Sequence, residues 1–214
     1  MDYSKKDIIK ILVDSAQKYD KYLANRTFLF IYDMGNQNYK YIEVTFIKNN
    51  FKHFTGIETN LEPKPFYEKC LDHRLSLADI NKRDDGTTDL KLSRLSSMCD
   101  LLSSDTYWGK YNNSHKHIHA NCCIGTSESK NDITLVLKRK NTKKKDHMMV
   151  PISFLAEQIN TVSDCPYGIV AIYCMDNLKR SYMKNLVYYN HQEANYVSEK
   201  FDASQFHDTN IHLI

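Results

Sequence analysis

Helical and strand-like hydrophobic patterns are segregated along this 214-residue chain, and their order constrains the fold more than any other feature. Helical spacing of apolar residues prevails early in the chain, whereas short apolar runs joined by polar turns prevail later. Helices that mostly precede strands favour an α+β fold over alternating α/β. We therefore expect N-terminal helices packed on an antiparallel β-sheet, in one domain over residues 1–190, with a C-terminal tail over residues 191–214.

The N-terminal elements have the clearest signals. Ser4 and Asp7 have capping-box spacing, and the apolar residues that follow recur with helical periodicity, which predicts a helix over residues 5–24. Residues 27–32 and 39–47 are apolar, aromatic or β-branched, and the turn sequence MGNQN lies between them. The two segments are therefore predicted to form a β-hairpin.

Further elements follow from the same patterns. Pro65 can open a short helix that continues to Leu71, and an apolar stripe predicts another helix from about Asp89 to Leu102. The second half then reads as an antiparallel meander. Its predicted strands are residues 117–124, 133–138, 148–154, 168–175 and 182–189.

Composition excludes several classes of protein. Hydrophobic residues make up 42% of the chain against 6 Gly and 4 Pro, which argues against a disordered or low-complexity polymer. Apolar runs fall short of the ~20 residues that span a bilayer, and the N-terminus is charged where a signal peptide needs an apolar core. We expect a cytoplasmic protein without membrane contact. The 6 cysteines have no CxxC spacing and are expected to be reduced thiols, most of them buried.

One stretch is strongly basic. Six cations fall within eight positions, although the whole chain has a net charge of only +3. A hairpin tip of this kind can contact a phosphate backbone, and a solvated lysine-rich loop is the alternative. The cations are Lys138, Arg139, Lys140, Lys143, Lys144 and Lys145.

A second stretch carries the histidines His115, His117 and His119. On a strand these side chains share one face, which permits a zinc site, but neighbouring ligands would stand ~6.6 Å apart, too wide for one ion without a bend. Surface histidines on an edge strand are the alternative. We therefore expect neither a metal site nor a cofactor here.

A third stretch combines an imidazole with a hydroxyl. If residues 51–57 are extended, His53 and Thr55 lie on the same face, and Gly56 permits a tight exit or the close approach of a ligand. That pair suits acid–base chemistry on a phosphate. A half-buried structural histidine is the alternative. The chain has no P-loop, GxGxxG or GxSxG motif, which excludes the corresponding ATPase, dehydrogenase and hydrolase interpretations.

Several segments together resemble one nuclease family. Residues 51–57 (FKHFTGI) are followed by Phe66-Tyr67 at the start of a short helix, Leu75-Ser-Leu77, a Lys-Leu pair at Lys91, and Val150-Pro-Ile-Ser153. This series is similar to the phage barnase, EndoU, colicin and RelE-like nucleases of the fourth described type, over roughly residues 28–155. That family usually has leucine where this chain has Phe54.

The resemblance implies a compact ribonuclease fold that needs no metal, found in mobile elements and phage-linked conflict systems of bacteria. In such a reaction a base takes the proton of the RNA 2′-OH, a cation stabilises the charged phosphate, and an acid protonates the departing 5′ oxygen. His53 suits acid or base, Lys91 (or Arg94 if the helix turns the other way) suits charge stabilisation, and the hydroxyls of Thr55 and Ser153 suit bonds to phosphate oxygens.

We therefore predict a metal-independent endoribonuclease, acting as a toxin or effector on tRNA or mRNA, with a protein partner or inhibitor as a further candidate. Lys52, Arg94 and the basic stretch are the predicted contacts to RNA. The alternative from another class is a non-catalytic, phage-encoded binding protein that uses the same scaffold to inhibit a host defence protein. A metal-dependent enzyme at the histidine strand is the third interpretation.

Overall fold

The N-terminal helix α1 (Lys5–Tyr22) begins with the predicted capping box, in which Ser4 and Asp7 bond to each other's backbone. Its apolar face is buried from Ile8 to Tyr19, so this prediction is confirmed. The computed structural model describes residues 2–36, 38–114, 118–127, 132–140, 148–176 and 181–189. The tail predicted over residues 191–214 lies outside these ranges.

The predicted hairpin is also confirmed. Strands β1 (Arg26–Asp33) and β2 (Tyr39–Phe46) pair antiparallel over their whole length. Short helices follow β2: α2 (Asn50–Thr55), α3 (Pro63–Leu71) and α4 (Thr87–Leu95). The helix expected from Asp89 to Leu102 is in fact two elements, because α4 ends at Leu95 and a separate 3₁₀ turn covers Met98–Leu102.

The second half supplies the remaining strands. They are β3 (Thr106–Lys110), β4 (Cys122–Thr126), β5 (Thr134–Arg139), β6 (Met148–Leu155), β7 (Tyr167–Asp176) and β8 (Ser181–Tyr189). A one-turn helix α5 (Ile159–Val162) follows β6. The sequence pattern missed β3 and α5.

The sheet differs from the prediction in shape and polarity. Its strand order is β1-β2-β6-β5-β4-β3-β7, and β7 returns to pair with β1, so these seven strands form a closed sheet to which β8 adds beyond β7. The pair β2–β6 is parallel, whereas the other neighbouring strands are antiparallel. The fold is therefore α+β, but the expected antiparallel sheet is a closed, mixed one, because β6 docks beside β2 from a distant part of the chain.

The main hydrophobic core joins the helices to one face of the sheet. At its centre the ring of Tyr19 packs against Phe46, Phe51, Phe54 and Tyr67, and the Tyr19 hydroxyl donates to the carbonyl of Ile47 at 2.9 Å. This aromatic cluster lies directly beneath α2. Strands β3–β6 bury a smaller cluster on their other face, which includes Tyr111, Leu155 and Val162.

The cysteines are free thiols, as expected. Burial raises the pKa of Cys70 and of Cys122 to about 12, so both thiols stay protonated and unreactive at neutral pH. In the part of the chain that the structure describes, the helices are too short or too polar to cross a membrane.

Candidate active site

An open cleft of about 680 Å³ lies between a helical wall and a strand wall. The helical wall, built from α2 and α4, contributes Lys52, His53 and Lys91. The strand wall, built from the end of β6 and the residues after it, contributes Ser153 and Glu157. The cleft therefore brings together three of the four predicted catalytic residues, His53, Lys91 and Ser153.

Asn50 connects the two walls. Its side-chain oxygen accepts a hydrogen bond from the backbone N–H of Ile47 at 2.9 Å, and its side-chain nitrogen donates to the carbonyl of Pro151 at 3.1 Å. The first bond turns the chain out of β2 into α2, and the second holds α2 against β6. Asn50 is itself buried, so both bonds satisfy an amide that water does not reach.

Residues 50–55 form a helix, so the prediction that His53 and Thr55 lie on one face of a strand is wrong. Phe51 and Phe54, three residues apart, both insert into the aromatic cluster, and their burial selects the helical period. Two residues apart on a helix are separated by roughly 200°. His53 consequently faces the cleft, whereas Thr55 faces the interior.

Gly56 ends α2 and lets α4 approach closely. Its φ of +69° is in the left-handed region, and a Cβ at this position would lie 3.1 Å from the Cδ of Lys91 and 3.3 Å from the Cα of Thr88. The hydroxyl of Thr88, fully buried, donates to the Gly56 carbonyl at 2.8 Å and accepts from the backbone N–H of Arg83 at 3.0 Å. These contacts place the Lys91 side chain across the end of α2, beside His53.

The environment of His53 favours its neutral form. Partial burial of the ring lowers the pKa of His53 below its usual value, and the positive charges of Lys52 and Lys91 lower it further. A neutral imidazole at an open cleft can accept a proton from a bound hydroxyl group. The geometry therefore provides a proton acceptor beside a fixed positive charge.

A family model described as phage-Barnase-EndoU-ColicinE5/D-RelE like nuclease4 matches residues 11–192, a range that contains both walls of the cleft. The chain belongs to this nuclease family. Comparisons with curated proteins and with solved structures gave no match.

In this nuclease-family chain the His53 segment, which carries most of the resemblance, and the Val150–Ser153 segment lie on opposite walls of the cleft. His53-Phe-Thr-Gly56 forms the end of α2, and Val150-Pro-Ile-Ser153 forms the middle of β6. Phe54, where the family usually has leucine, is fully buried with its ring centre 6.0 Å from that of Tyr19. That difference is therefore accommodated in the core and does not alter the cleft.

Thr55 does not line the cleft. It is fully buried, and its hydroxyl donates to the carbonyl of Lys52 at 2.9 Å and accepts from the backbone N–H of Ile57 at 3.1 Å. Both bonds stabilise the end of α2 and the turn at Gly56. We therefore replace the predicted phosphate contact with a structural role for Thr55.

Two of the predicted RNA contacts, Lys52 and Arg94, lie on the helices that build the helical wall, and their positions differ. The ammonium of Lys52 donates to the carbonyl of Leu61 at 2.6 Å and lies 3.4 Å from that of Thr59, so it holds the loop after α2 while lining the cleft. Arg94 is half-buried one turn beyond Lys91 on α4 and does not line the cleft.

The basic stretch is only partly described. Lys138 and Arg139 end β5 and Lys140 follows, all three of them exposed, whereas Lys143, Lys144 and Lys145 lie outside the described residues. Lys138 pairs with Val150 on β6, three residues before Ser153. The described part of this stretch thus extends from the strand wall but does not line the cleft itself.

Sequence reasoning missed two charged residues of the cleft, Arg83 and Glu157. Arg83 lies in the polar loop before α4, and Glu157 follows β6 by two residues. Neither residue belongs to a sequence motif that would identify it as a site residue. Glu157 lies four residues after the family-like Val150–Ser153 segment, and this proximity is the one sequence feature that points to it.

In the histidine stretch, His115 and His117 lie outside the described ranges. His119 is described and is exposed. Among the described residues, no group of three or more His, Cys, Asp or Glu side chains is placed to hold a metal ion.

Thr55→Val should lower the free energy of unfolding by about 1–3 kcal/mol, because it leaves the buried N–H of Ile57 without its acceptor. Thr55→Ser keeps the hydroxyl and should retain most of the stability. Urea unfolding measures both variants. If Thr55→Val keeps wild-type stability but loses nuclease activity, the structural role is wrong and the predicted phosphate contact stands.

Proposed function

We propose that the protein is a metal-independent endoribonuclease that cleaves RNA by attack of the 2′-OH on the adjacent phosphate. One observation carries the proposal: in a chain of a nuclease family, His53 lies in an open cleft beside Lys91 and opposite Ser153. The reaction needs a proton acceptor, a positive charge, a hydrogen-bond donor to the phosphate and an acid for the leaving oxygen. His53, Lys91 and Ser153 supply the first three.

Each residue has one role in the proposed reaction. His53, held neutral, accepts the proton of the 2′-OH as the 2′ oxygen bonds to phosphorus. Lys91 neutralises the charge that gathers on the phosphate oxygens, and the Ser153 hydroxyl donates a hydrogen bond to one of them. The bond from phosphorus to the 5′ oxygen then breaks. A water molecule in the open cleft gives a proton to the leaving oxygen and takes the proton held by His53, which returns to its neutral form. The products are a 2′,3′-cyclic phosphate and a 5′-hydroxyl.

The electrostatics support RNA as the substrate. Lys52, Arg83 and Lys91 line the cleft, and the exposed cations Lys138 and Arg139 continue from its strand wall. A phosphodiester chain gains affinity from each cation that it neutralises. The proposal extends to a toxin or effector role on tRNA or mRNA, in the conflict systems that the resemblance implies.

His53→Asn should lower RNA cleavage by roughly a hundredfold or more, because a positioned proton-transfer group typically contributes ~10² to 10⁴ in rate. His53 is only partly covered and lies at the surface of the cleft, so the thermal transition should stay nearly unchanged. His73→Asn is the matched control: His73 is also exposed, lies outside the cleft, and has a φ of +56° that asparagine tolerates.

Two results would count against the nuclease. Equal activity of His53→Asn and wild type would remove His53 from the mechanism. A wild-type chain that cleaves no RNA between about pH 5 and 9, where an imidazole passes through both forms, would favour the non-catalytic binding protein instead.

The pH profile tests the assignment of His53 as the base. The ratio kcat/KM, which reports the free enzyme, should rise with pH as His53 loses its proton. The midpoint of this acidic limb should lie below 6.5, the usual pKa, because burial and two lysines lower it. Lys91→Gln removes one of these charges, so the pKa of His53 and the acidic limb should both move to higher pH, whatever happens to the maximal rate.

Lys64→Gln is the control for this shift, since Lys64 is an exposed lysine on α3 that pairs with Glu68 outside the cleft. Rate measurements across the pH range on all three proteins give the midpoints. An acidic limb that stays in place in Lys91→Gln would contradict the assignment.

A further inference from the structure

A second cleft, of about 540 Å³, adjoins the first. The two clefts share Lys52, Ile57 and Arg83 in their linings, so these residues form a common border. Each cleft lies in the size range of small-ligand sites, roughly 300–1,000 Å³. A chain of nucleotides bound in the first cleft can therefore continue across this border into the second.

The border carries a positive charge, that of Arg83, which can exchange its present partner for a bound phosphate. The side chain of Arg83 is 47% exposed, and its Nε lies 4.0 Å from Oε1 of Glu58, which is also exposed. An exposed ion pair at this distance contributes little stability. Arginine binds phosphate through two parallel hydrogen bonds, so a phosphate at the border would compete well with Glu58.

Beyond the border the second cleft is rich in acceptors. Its lining includes Glu58, Asn60 and Asp79. Hydrogen bonds from the backbone and hydroxyl of Ser76 and from Lys69 lower the pKa of Asp79 to about 2, so this carboxylate is charged at neutral pH. Both of its oxygens already accept these bonds, which leaves the exposed Glu58 as the carboxylate more open to a ligand. Carboxylates repel a phosphate but accept hydrogen bonds from the exocyclic amino groups of nucleobases. The second cleft thus suits a nucleobase, while the phosphate of the same nucleotide binds Arg83 at the border.

The walls of the second cleft are already in place. Glu58 and Asn81 exchange two backbone hydrogen bonds, of 3.0 and 2.9 Å, and the ammonium of Lys5 donates to the side-chain oxygen of Asn81 at 3.0 Å. The Lys52 ammonium holds the opposite side through the carbonyl of Leu61. A preformed site loses less conformational entropy when it binds a flexible ligand.

We propose that the second cleft is the subsite for a nucleotide next to the scissile phosphate, in which Arg83 binds that nucleotide's phosphate and Glu58 accepts a hydrogen bond from a base amino group. This inference rests on the proposed ribonuclease function and extends it to substrate length and base preference. Cytosine, adenine and guanine carry such an amino group, and uracil does not. The subsite therefore discriminates against uracil at one flanking position.

Binding of uncleavable RNA tests the subsite separately from catalysis. The probes are 2′-O-methyl oligonucleotides of two and of four nucleotides, with fluorescence anisotropy as the measurement. Arg83→Ala should weaken binding of the longer probe roughly tenfold, as expected for a hydrogen bond to a charged group. It should weaken binding of the dinucleotide less, because the dinucleotide has no phosphate beyond the scissile one. The salt dependence of the longer probe's binding should flatten by ~0.7 in the slope of log affinity against log salt.

Arg74→Ala is the matched control, because Arg74 is an exposed arginine paired with Asp72 and lines neither cleft. Equal affinity of wild type and Arg83→Ala for the longer probe would overturn the subsite, even if the protein cleaves RNA. If Arg83→Ala no longer binds the four-nucleotide probe more tightly than the dinucleotide, the result would support the subsite, even if unmodified RNA is not cleaved.

Base preference is the second readout. Wild type should bind four-nucleotide probes with cytosine at the flanking position roughly fivefold or more tightly than probes with uracil there, and Glu58→Ala should remove most of that difference. The same preference in both proteins would exclude Glu58 as the acceptor.

Discussion

The cleft depends on one buried amide. Asn50 ends β2 by accepting from Ile47, begins α2, and donates to Pro151 in the middle of β6. β2 and α2 follow each other in the sequence, whereas Pro151 on β6 lies 101 residues beyond Asn50. The helix α2 carries His53, and β6 carries Ser153. A buried polar group left without its partner typically costs about 1–3 kcal/mol, so the two walls are held together by an interaction that is expensive to break.

A second constraint places the positive charge. Gly56 lets α4 lie against the end of α2. The buried hydroxyl of Thr88 donates to the Gly56 carbonyl and accepts from the backbone N–H of Arg83, so it holds both in place. Lys91 is consequently close enough to His53 to lower the pKa of its imidazole. The same lysine that would stabilise a charged phosphate thus also keeps the base unprotonated. A bound phosphate, being negative, would offset this effect during the reaction.

Local patterns predicted the elements whose hydrogen bonds are local. The capping box of Ser4 and Asp7 marks the start of α1, and the polar MGNQN segment marks the hairpin turn. The parallel pairing of β2 with β6 was missed because it depends on contacts between residues about a hundred positions apart. Residues 50–55 were misread as extended because two aromatic residues and a threonine suit a strand, whereas burial of Phe51 and Phe54 beneath Tyr19 selects a helix. The resemblance to the family segment predicts His53 as a site residue, whereas the strand geometry that would pair it with Thr55 is wrong.

The most direct test is to compare cleavage of two versions of one RNA, unmodified and fully 2′-O-methylated, by the purified protein in excess chelator. The account predicts that the unmodified RNA is cut into fragments with 2′,3′-cyclic phosphate and 5′-hydroxyl ends, because its 2′ oxygen is the attacking group. The methylated RNA should remain intact. Cleavage of both versions, or fragments with 5′-phosphate ends, would contradict attack by the 2′-OH. Activity that disappears in chelator and returns with a divalent metal would contradict metal independence.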